Sequence, residues 1–177
     1  MPLPVLLAVA LTETGRTQDG RFAPWPWTVN TGDRGHWFST RAEAASFANR
    51  TLAEGQQSFD TGCFQINYRW HGRHFTSIDE MFDPARNAAY AARFLRDLYV
   101  ETGSWSKAAG AYHSRTDRIA NAYRARFDSH YARLAQRVDE PPPSPVRPQR
   151  TNTFPLLRGG GRPASPGSLF HIGRDRG

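Results

Sequence analysis

The sequence has few cysteines, few lysines and no long apolar run. Its 177 residues include one cysteine, Cys63, so an internal disulfide framework is excluded. No uninterrupted apolar stretch approaches the roughly 18 residues that a membrane-spanning helix requires, so we predict no transmembrane segment. Lysine supplies one of the 23 basic side chains and arginine the other 22, which we interpret as codon bias and not as a functional signal.

The sequence lacks the residue patterns of a metal site, a phosphate-binding loop and a catalytic thiol. His71 and His74 are three positions apart, a spacing seen in metal sites, but no obvious third ligand accompanies them. No glycine-rich phosphate-binding loop occurs in the sequence. Cys63 has no base beside it, so we expect a small buried side chain and not a catalytic thiol. We therefore predict a protein that uses neither a metal ion nor another cofactor.

Length and composition predict one folded domain followed by a tail. Hydrophobic residues make up 38% of the chain and aromatic residues 12%, which is enough for one sizeable core. Residues 141–177 are rich in Pro, Gly, Ser and Arg and have few apolar side chains, so we expect them to be disordered. We place the folded domain at residues 1–140 and the basic tail at residues 141–177.

The net charge of +7 is concentrated in this tail. Residues 141–177 carry six arginines and one aspartate, a net +5, which leaves +2 for residues 1–140. Such a tail is either a solvated linker or a binding segment for nucleic acid, anionic lipid or an acidic wall polymer. Phe154 and Phe170 are its only aromatic residues, so the case for nucleic acid is weak and none is expected as a partner.

The pattern of apolar residues predicts an α+β domain that is mostly α. Helices are expected at Pro4–Gly15, Thr40–Gly55, Pro84–Gly103, 104–114 and 117–138. The third of these has an apolar stripe at Ala85, Ala88, Ala92, Leu95 and Tyr99. Residues 22–38 are instead aromatic, with Trp25, Trp27 and Val29 alternating, which predicts a small hairpin or an irregular loop.

One acidic residue, Glu13, ends the apolar start of the chain. Leu6, Val9, Ala10 and Glu13 fall on one face of the first predicted helix. Burial on an apolar face and the negative end of the helix dipole both raise the pKa of a carboxyl there. A carboxyl that stays protonated near neutral pH suits a general acid. The alternative is an exposed side chain on a frayed last turn.

The same apolar start is not predicted to be a signal peptide. It has no basic residue before the apolar run and no convincing cleavage site after it. We interpret it as a core helix, so the sequence shows no export signal.

Four motifs follow one another in the order seen in a known family. They are Glu13-Thr14, Gly62-Cys63-Phe64-Gln65-Ile66, Asn87 to Ala92, and Ala111-Tyr112-His113. These resemble the Glu-Ser, Gly-x-x-Gln-Ile, Asn-x-x-x-Ala and Ala-Tyr-Asn segments of the lytic transglycosylase SLT domain, a lysozyme-like family. The resemblance covers roughly residues 4–138 and implies a lysozyme-like domain. Thr in place of Ser, and Tyr-His-Ser in place of Tyr-Asn, indicate a distinct subgroup.

The resemblance implies a reaction on bacterial peptidoglycan in the periplasm. Enzymes of this family cut the β-1,4 bond between N-acetylmuramic acid and N-acetylglucosamine without water. One Glu protonates the glycosidic oxygen and then takes the proton of the muramoyl C6 hydroxyl, which closes on C1 as a 1,6-anhydro ring. Glu13 matches this catalytic position. One carboxyl suffices because the nucleophile belongs to the substrate, unlike the two-carboxylate glycosidases.

Seven residues are expected to contact the glycan: Thr14, Trp27, Asn30, Gln65, Asn67, Tyr112 and His113. Trp27 and Asn30 are chosen because they lie in the aromatic stretch at residues 22–38, which departs from the family pattern. Tyr112 matches a tyrosine near the catalytic Glu, and Gln65 matches a cleft glutamine. Trp25 and Trp27 are expected to stack on sugars in a cleft wall. The structural alternatives are a core aromatic for Tyr112, a capping amide for Gln65, a local turn for Asn67, a structural hydrogen bond for His113 and a satellite hydrophobic cluster for the tryptophans.

Other functions stay open. Asp60 is expected to cap a short helix, but if it faced Glu13 across a cleft the protein could be a lysozyme-type hydrolase with water as nucleophile. A non-catalytic wall-binding scaffold is a further alternative, against which the intact Glu13 and Tyr112 argue. By analogy, the basic tail could dock to a secretion or flagellar machine that needs a local opening in the wall.

Overall fold

The computed structural model describes residues 1–32 and 34–138. The expected boundary at residue 140 and the tail at 141–177 lie outside the described residues. The described helices are α1 (Leu3–Thr14), α2 (Arg41–Ala53), α3 (Tyr68–His71), α4 (Ile78–Met81), α5 (Pro84–Thr102), α6 (Trp105–His113) and α7 (Asp117–Val138). The described strands are β1 (Gly15–Gln18), β2 (Arg21–Pro24), β3 (Thr28–Asn30), β4 (Gly35–Trp37), β5 (Asp60–Thr61) and β6 (Ile66–Asn67). The predicted α+β class, mostly α, is confirmed.

The helix ends follow the capping chemistry of the sequence. Thr40 and Glu43 form the predicted capping box at the start of α2, each side chain bonding the other's backbone N–H. Asp83 caps α5 ahead of Pro84, and Gly103 ends that helix with φ at 67°, a conformation that glycine adopts without strain. The sequence-based boundaries of these two helices are therefore confirmed.

The apolar side chains form two clusters. The larger joins α1, α5, α6 and α7 through residues such as Val9, Leu95, Ala109 and Phe127, all completely buried. The smaller lies under β3, α2 and α4, around Val29, Ala44, Ala48, Phe59 and Phe82. Trp27 packs against this second cluster, so the satellite hydrophobic cluster considered for the aromatic stretch is what the structure shows for that residue.

The β region consists of one hairpin and one small sheet. Strands β1 and β2 pair antiparallel, and the second sheet has the antiparallel order β4-β3-β5-β6. Residues 22–38 therefore supply parts of both sheets, where a single hairpin or loop was predicted. In the second sheet Asp60 is opposite Asn67, and Val29 is opposite Thr61. The prediction that Asp60 caps a helix is wrong, because the chain turns at Gly62 into β6 and no helix follows Asp60 directly.

A buried asparagine connects α5 to the turn between β5 and β6. Asn87 is 1% exposed, its Oδ1 accepts from the backbone N–H of Phe64 at 3.0 Å, and its Nδ2 donates to the Thr61 carbonyl at 3.2 Å. Nδ2 also donates to the Met81 carbonyl at 3.0 Å. Gly62 fits against this amide, since a Cβ there would come within 2.7 Å of Nδ2. Asn87 therefore holds the β5–β6 turn in place.

This hydrogen bonding corrects the predicted core face of α5. The buried positions are Asn87, Ala91, Leu95 and Leu98. Ala85, which the expected stripe included, is exposed. The predicted face was rotated because the stripe was drawn through apolar residues alone, whereas an amide whose hydrogen bonds are made inside the fold can be buried.

We expect Asn87→Ala to lower the free energy of unfolding by about 2–4 kcal/mol, because buried backbone groups of the β5–β6 turn lose their partners. Urea denaturation followed by circular dichroism measures the change. Asp97→Ala, at an exposed position of the same helix, is the control. Equal destabilisation by the two substitutions would contradict the role given to Asn87.

Candidate active site

A cavity of about 350 Å³ brings together six of the residues that were singled out in the sequence. They are Glu13, Asn30, Gln65, Asn67, Tyr112 and His113. Asp60, Ile66, Trp70, His71 and Phe94 complete the lining. Residues from α1, β3, β5, β6, α3, α5 and α6 therefore converge on one concave, polar surface.

Glu13 lies on the inner side of this cavity and is nearly buried. Its side chain is 11% exposed, so the alternative of an exposed residue on a frayed turn does not hold. The pKa of the Glu13 carboxyl is raised to about 7, mainly by burial and in smaller part by the charge of Asp60. Tyr123 and Arg126 act in the opposite direction, because a hydroxyl donor and a cation favour the carboxylate. The carboxyl is thus poised to hold or release a proton near neutral pH.

Two residues from α6 and α7 surround the Glu13 carboxyl. His113 Nδ1 lies 3.9 Å from Glu13 Oε1, and its ring stacks on Tyr123 with centroids 4.6 Å apart. The Tyr123 hydroxyl is completely buried beside Glu13 and makes no hydrogen bond of standard geometry within the described residues. Tyr123 falls within the helix predicted at residues 117–138, and its place at the site was missed.

Tyr112 lines the cavity but donates its hydroxyl hydrogen bond elsewhere. Its hydroxyl donates to the Phe64 carbonyl at 2.6 Å, which ties α6 to the β5–β6 turn. Burial and the nearby Glu13 raise the pKa of the phenol well above its usual range, so it stays neutral. In this structure Tyr112 therefore fixes the wall of the cavity next to Glu13.

The three amides at the cavity each use part of their bonding capacity within the fold. Gln65, at a φ of 47°, donates from Nε2 to the Gly62 carbonyl at 2.9 Å. Asn67 donates from Nδ2 to Asp60 Oδ1 at 2.8 Å and begins α3 as its N-cap. Asn30 Oδ1 accepts from the Gly32 N–H at 3.1 Å. These bonds orient the amides and leave further donors and acceptors of the three side chains for a ligand.

Thr14 and Trp27 do not line the cavity, contrary to expectation. Thr14 is 1% exposed; its hydroxyl donates to the Cys63 carbonyl at 2.9 Å and accepts from the Trp25 N–H at 3.3 Å. Trp25 donates from Nε1 to the Phe38 carbonyl at 2.8 Å and lies under the Arg16 guanidinium. Trp25 and Trp27 therefore contact other parts of the fold and form no stacking wall at this cavity.

The carboxyl of Asp60 shares the cavity with Glu13. Burial raises the pKa of Asp60, while the hydrogen bond donated by Asn67 favours its ionised form. The sequence left open whether Asp60 lies near Glu13, and the structure places both in one cavity.

Two other lining residues, Trp70 and Phe94, were missed by the sequence analysis, and His71 was considered there only as a metal ligand. Trp70, 63% exposed, and His71 belong to the short helix α3, and Phe94 comes from the middle of α5. The one sequence signal that Trp70 offers for this cavity is that it closely follows Asn67. The His71 ring is held by a hydrogen bond of 2.7 Å between Nδ1 and the Tyr90 hydroxyl.

No metal site or membrane-spanning helix is found in the part of the chain that the structure describes. There, no group of three or more His, Cys, Asp or Glu side chains is arranged to hold a metal ion. Likewise, none of its helices is both long and apolar enough to cross a membrane. Burial raises the pKa of Cys63 to about 11, so its side chain remains a thiol.

The chain matches the family model described as the transglycosylase SLT domain over residues 40–134, more than half of its length. The protein therefore belongs to the SLT transglycosylase family, and its function is of the type that acts on peptidoglycan in the bacterial cell wall. The matched range includes the β5–β6 turn, α5 and α6, whereas Glu13 lies before it. Neither the curated proteins nor the solved structures contain a match to this chain.

We expect Glu13→Gln to stabilise the protein at alkaline but not at acid pH. The carboxyl ionises at its ordinary value of 4.5 in the unfolded chain and at about 7 in the folded protein. Between these values the folded state binds more protons, so stability falls as the pH rises and stays reduced above that window. Gln does not titrate, so Glu13→Gln removes this pH dependence of the free energy of unfolding, which amounts to at most about 3 kcal/mol.

Thermal and urea unfolding of both proteins at about pH 4 and about pH 8 measure this difference. Glu54→Gln, an exposed position, controls for the loss of one negative charge. A difference between wild type and Glu13→Gln that is the same at both pH values would contradict the buried, protonated carboxyl.

Proposed function

We propose that the protein is a peptidoglycan lytic transglycosylase of the periplasm, with Glu13 as its single general acid and base. It cleaves the β-1,4 bond between N-acetylmuramic acid and N-acetylglucosamine and leaves 1,6-anhydromuramoyl ends. The observation that carries this proposal is the Glu13 carboxyl, 11% exposed in a cavity and with a pKa raised to about 7. Membership of the SLT family supplies the substrate class.

The reaction needs one carboxyl that changes role. Protonated Glu13 donates its proton to the glycosidic oxygen, the bond from C1 to that oxygen breaks, and N-acetylglucosamine leaves as the alcohol. Glu13, now a carboxylate, removes the proton of the C6 hydroxyl, whose oxygen bonds to C1. Glu13 ends protonated, as it began. A pKa near the working pH serves both steps, because neither protonation state is strongly disfavoured.

The surrounding polar groups suit a glycan with N-acetyl and hydroxyl substituents. Gln65, Asn67 and Asn30 present amides to the cavity. Tyr112 and His113 flank Glu13, and Phe94 and Trp70 offer apolar ring surfaces to sugar faces. The cavity is therefore assigned to the sugars next to the scissile bond. Thr14 and Trp27 have no direct contact with substrate in this assignment.

Asp60 favours a second candidate, a lysozyme-type hydrolase. It lines the same cavity as Glu13, and an ionised carboxylate there could activate a water molecule for attack on C1. Such an enzyme would leave reducing ends in place of anhydro ends. The two candidates therefore differ in product mass by one water per cut.

Digestion of purified peptidoglycan, with products read by mass spectrometry, tests the proposal. We expect anhydromuropeptides from the wild type and an activity about 10²–10⁴-fold lower from Glu13→Gln, which keeps the shape of the side chain but holds no acidic proton. Asp60→Asn should still yield anhydro products, because water is not a reactant.

The other outcomes each identify an alternative. Reducing-end products that disappear in Asp60→Asn would establish the hydrolase. Binding of peptidoglycan without products from either protein would establish the non-catalytic scaffold. The basic tail at residues 141–177 lies outside the described residues, and the comparisons give no support to a secretion or flagellar partner.

A further inference from the structure

His113 occupies the position at which this chain departs most clearly from the family it belongs to. The resemblance places an asparagine after the tyrosine, and here the residue is an imidazole that ends α6. An asparagine amide cannot titrate near neutral pH, whereas a histidine can. The substitution therefore adds a titratable group next to the carboxyl of Glu13.

The geometry directs one nitrogen of this ring toward Glu13. Nδ1 of His113 is 3.9 Å from Oε1 of Glu13. The ring plane lies within 14° of the Tyr123 ring, at a centroid distance of 4.6 Å, so one face of the imidazole is covered. Shortening the distance between Nδ1 and Oε1 by about 1 Å would bring the two atoms to hydrogen-bond distance.

The groups around His113 and Glu13 determine the protonation state of the imidazole and so its capacity to donate a hydrogen bond. Burial lowers the pKa of His113, and the cation of Arg126 on α7 lowers it further, so the ring is neutral near pH 7. A neutral imidazole carries one N–H and can donate one hydrogen bond from it. Three further groups lie around Glu13: the Tyr123 hydroxyl from α7, the neutral Tyr112 phenol from α6 and the Asp60 carboxyl from β5. Of these three, only Asp60 is an anion.

We propose that His113 is a positioning residue for Glu13, which donates from Nδ1–H to the carboxylate that exists after Glu13 has given up its proton. The proposal rests on the proposed function, in which Glu13 is the acid and base. Glu13 is already nearly buried, and a substrate that covers the partly exposed His113 ring and excludes water from the cavity strengthens such a bond. His113 neither gains nor loses a proton in the cycle; its hydrogen bond forms with the carboxylate and weakens when Glu13 is protonated again.

The proposal is testable because each possible role of His113 predicts a different change in the pKa of Glu13 when the imidazole is removed. A donor to the carboxylate lowers the pKa of Glu13, so its loss in His113→Ala should raise that pKa by about one unit. If His113 only shields Glu13 from water, the same substitution would hydrate the carboxyl and lower its pKa. If His113 only contacts sugar, the pKa would not change and KM alone would rise.

The experiment is a carbon-13 NMR titration of the Glu13 carboxyl in wild type, His113→Ala and His113→Asn, together with pH profiles of kcat on peptidoglycan. We expect His113→Ala to raise the pKa, to move the alkaline limb of the profile to higher pH by the same amount, and to lower kcat about tenfold near neutral pH. His113→Asn keeps an N–H donor and should recover at least half of each change.

Controls separate this role from folding and from the proposed function. His130→Asn removes an imidazole that stacks on Phe22, away from the cavity, and should leave both pKa and profile unchanged. Thermal unfolding confirms that each variant is folded, and His113→Gln replaces His113→Ala if the latter is not. A Glu13 pKa that is unchanged or lowered in the variant without the imidazole overturns the proposal. Absence of products from the wild type overturns the proposed function instead, while the titration still decides whether His113 is hydrogen bonded to Glu13.

Discussion

The carboxyl of Glu13 is held out of water at the end of a helix that packs on apolar neighbours, and the arrangement of the site follows from this constraint. Burial is the largest influence on its pKa, ahead of any single charge. Burying a carboxylate costs desolvation free energy, so burial favours the protonated form of the group. The Tyr123 hydroxyl and Arg126 reduce this cost without removing it, which keeps both protonation states within reach near neutral pH.

The cavity wall that carries Gln65 is fixed by three side chains that hydrogen-bond to its backbone. The turn between β5 and β6 is held from α1 by Thr14, from α6 by Tyr112 and from α5 by Asn87. Two of these anchors are next to a cavity residue in the chain, Thr14 after Glu13 and Tyr112 before His113. Adjacent residues on a helix point about 100° apart. Thr14 and Tyr112 can therefore hold the turn, while their neighbours Glu13 and His113 place the carboxyl and the imidazole beside each other.

This pairing gives a physical reason for the two-residue motifs. In both Glu-Thr and Tyr-His, one residue belongs to the Glu13–His113 pair and the other fixes the turn that carries Gln65. The position of this turn relative to Glu13 therefore depends on hydrogen bonds to the backbone carbonyls of Cys63 and Phe64.

Helix boundaries could be predicted from the sequence more accurately than the contacts between elements that are distant in the chain. Capping residues located α2 and α5 because these signals act within a few residues of the chain. The buried face of α5 was missed because Asn87 is buried for its hydrogen bonds to distant backbone, which no local period reveals. Trp27 was expected at the cleft on the ground that tryptophan stacks on sugars, but an aromatic side chain packs into a core equally well. Phe94 was missed because the cavity wall that it joins is formed by tertiary packing alone.

The two carboxyls in one cavity are not equivalent, and the difference favours Glu13 as the proton carrier. Asp60 accepts a hydrogen bond of 2.8 Å from Asn67, which stabilises its ionised form, whereas the Tyr123 hydroxyl beside Glu13 makes no hydrogen bond of standard geometry within the described residues. When two close carboxyls compete for one proton, the group without a fixed donor keeps it. A negative charge on Asp60 raises the affinity of Glu13 for its proton. In the proposed reaction it would lie in the same cavity as the positive charge that develops at C1 when the glycosidic bond breaks. An ionised Asp60 is therefore compatible with the proposed transglycosylase, in which it takes no proton and activates no water, and its presence in the cavity does not by itself require a hydrolase.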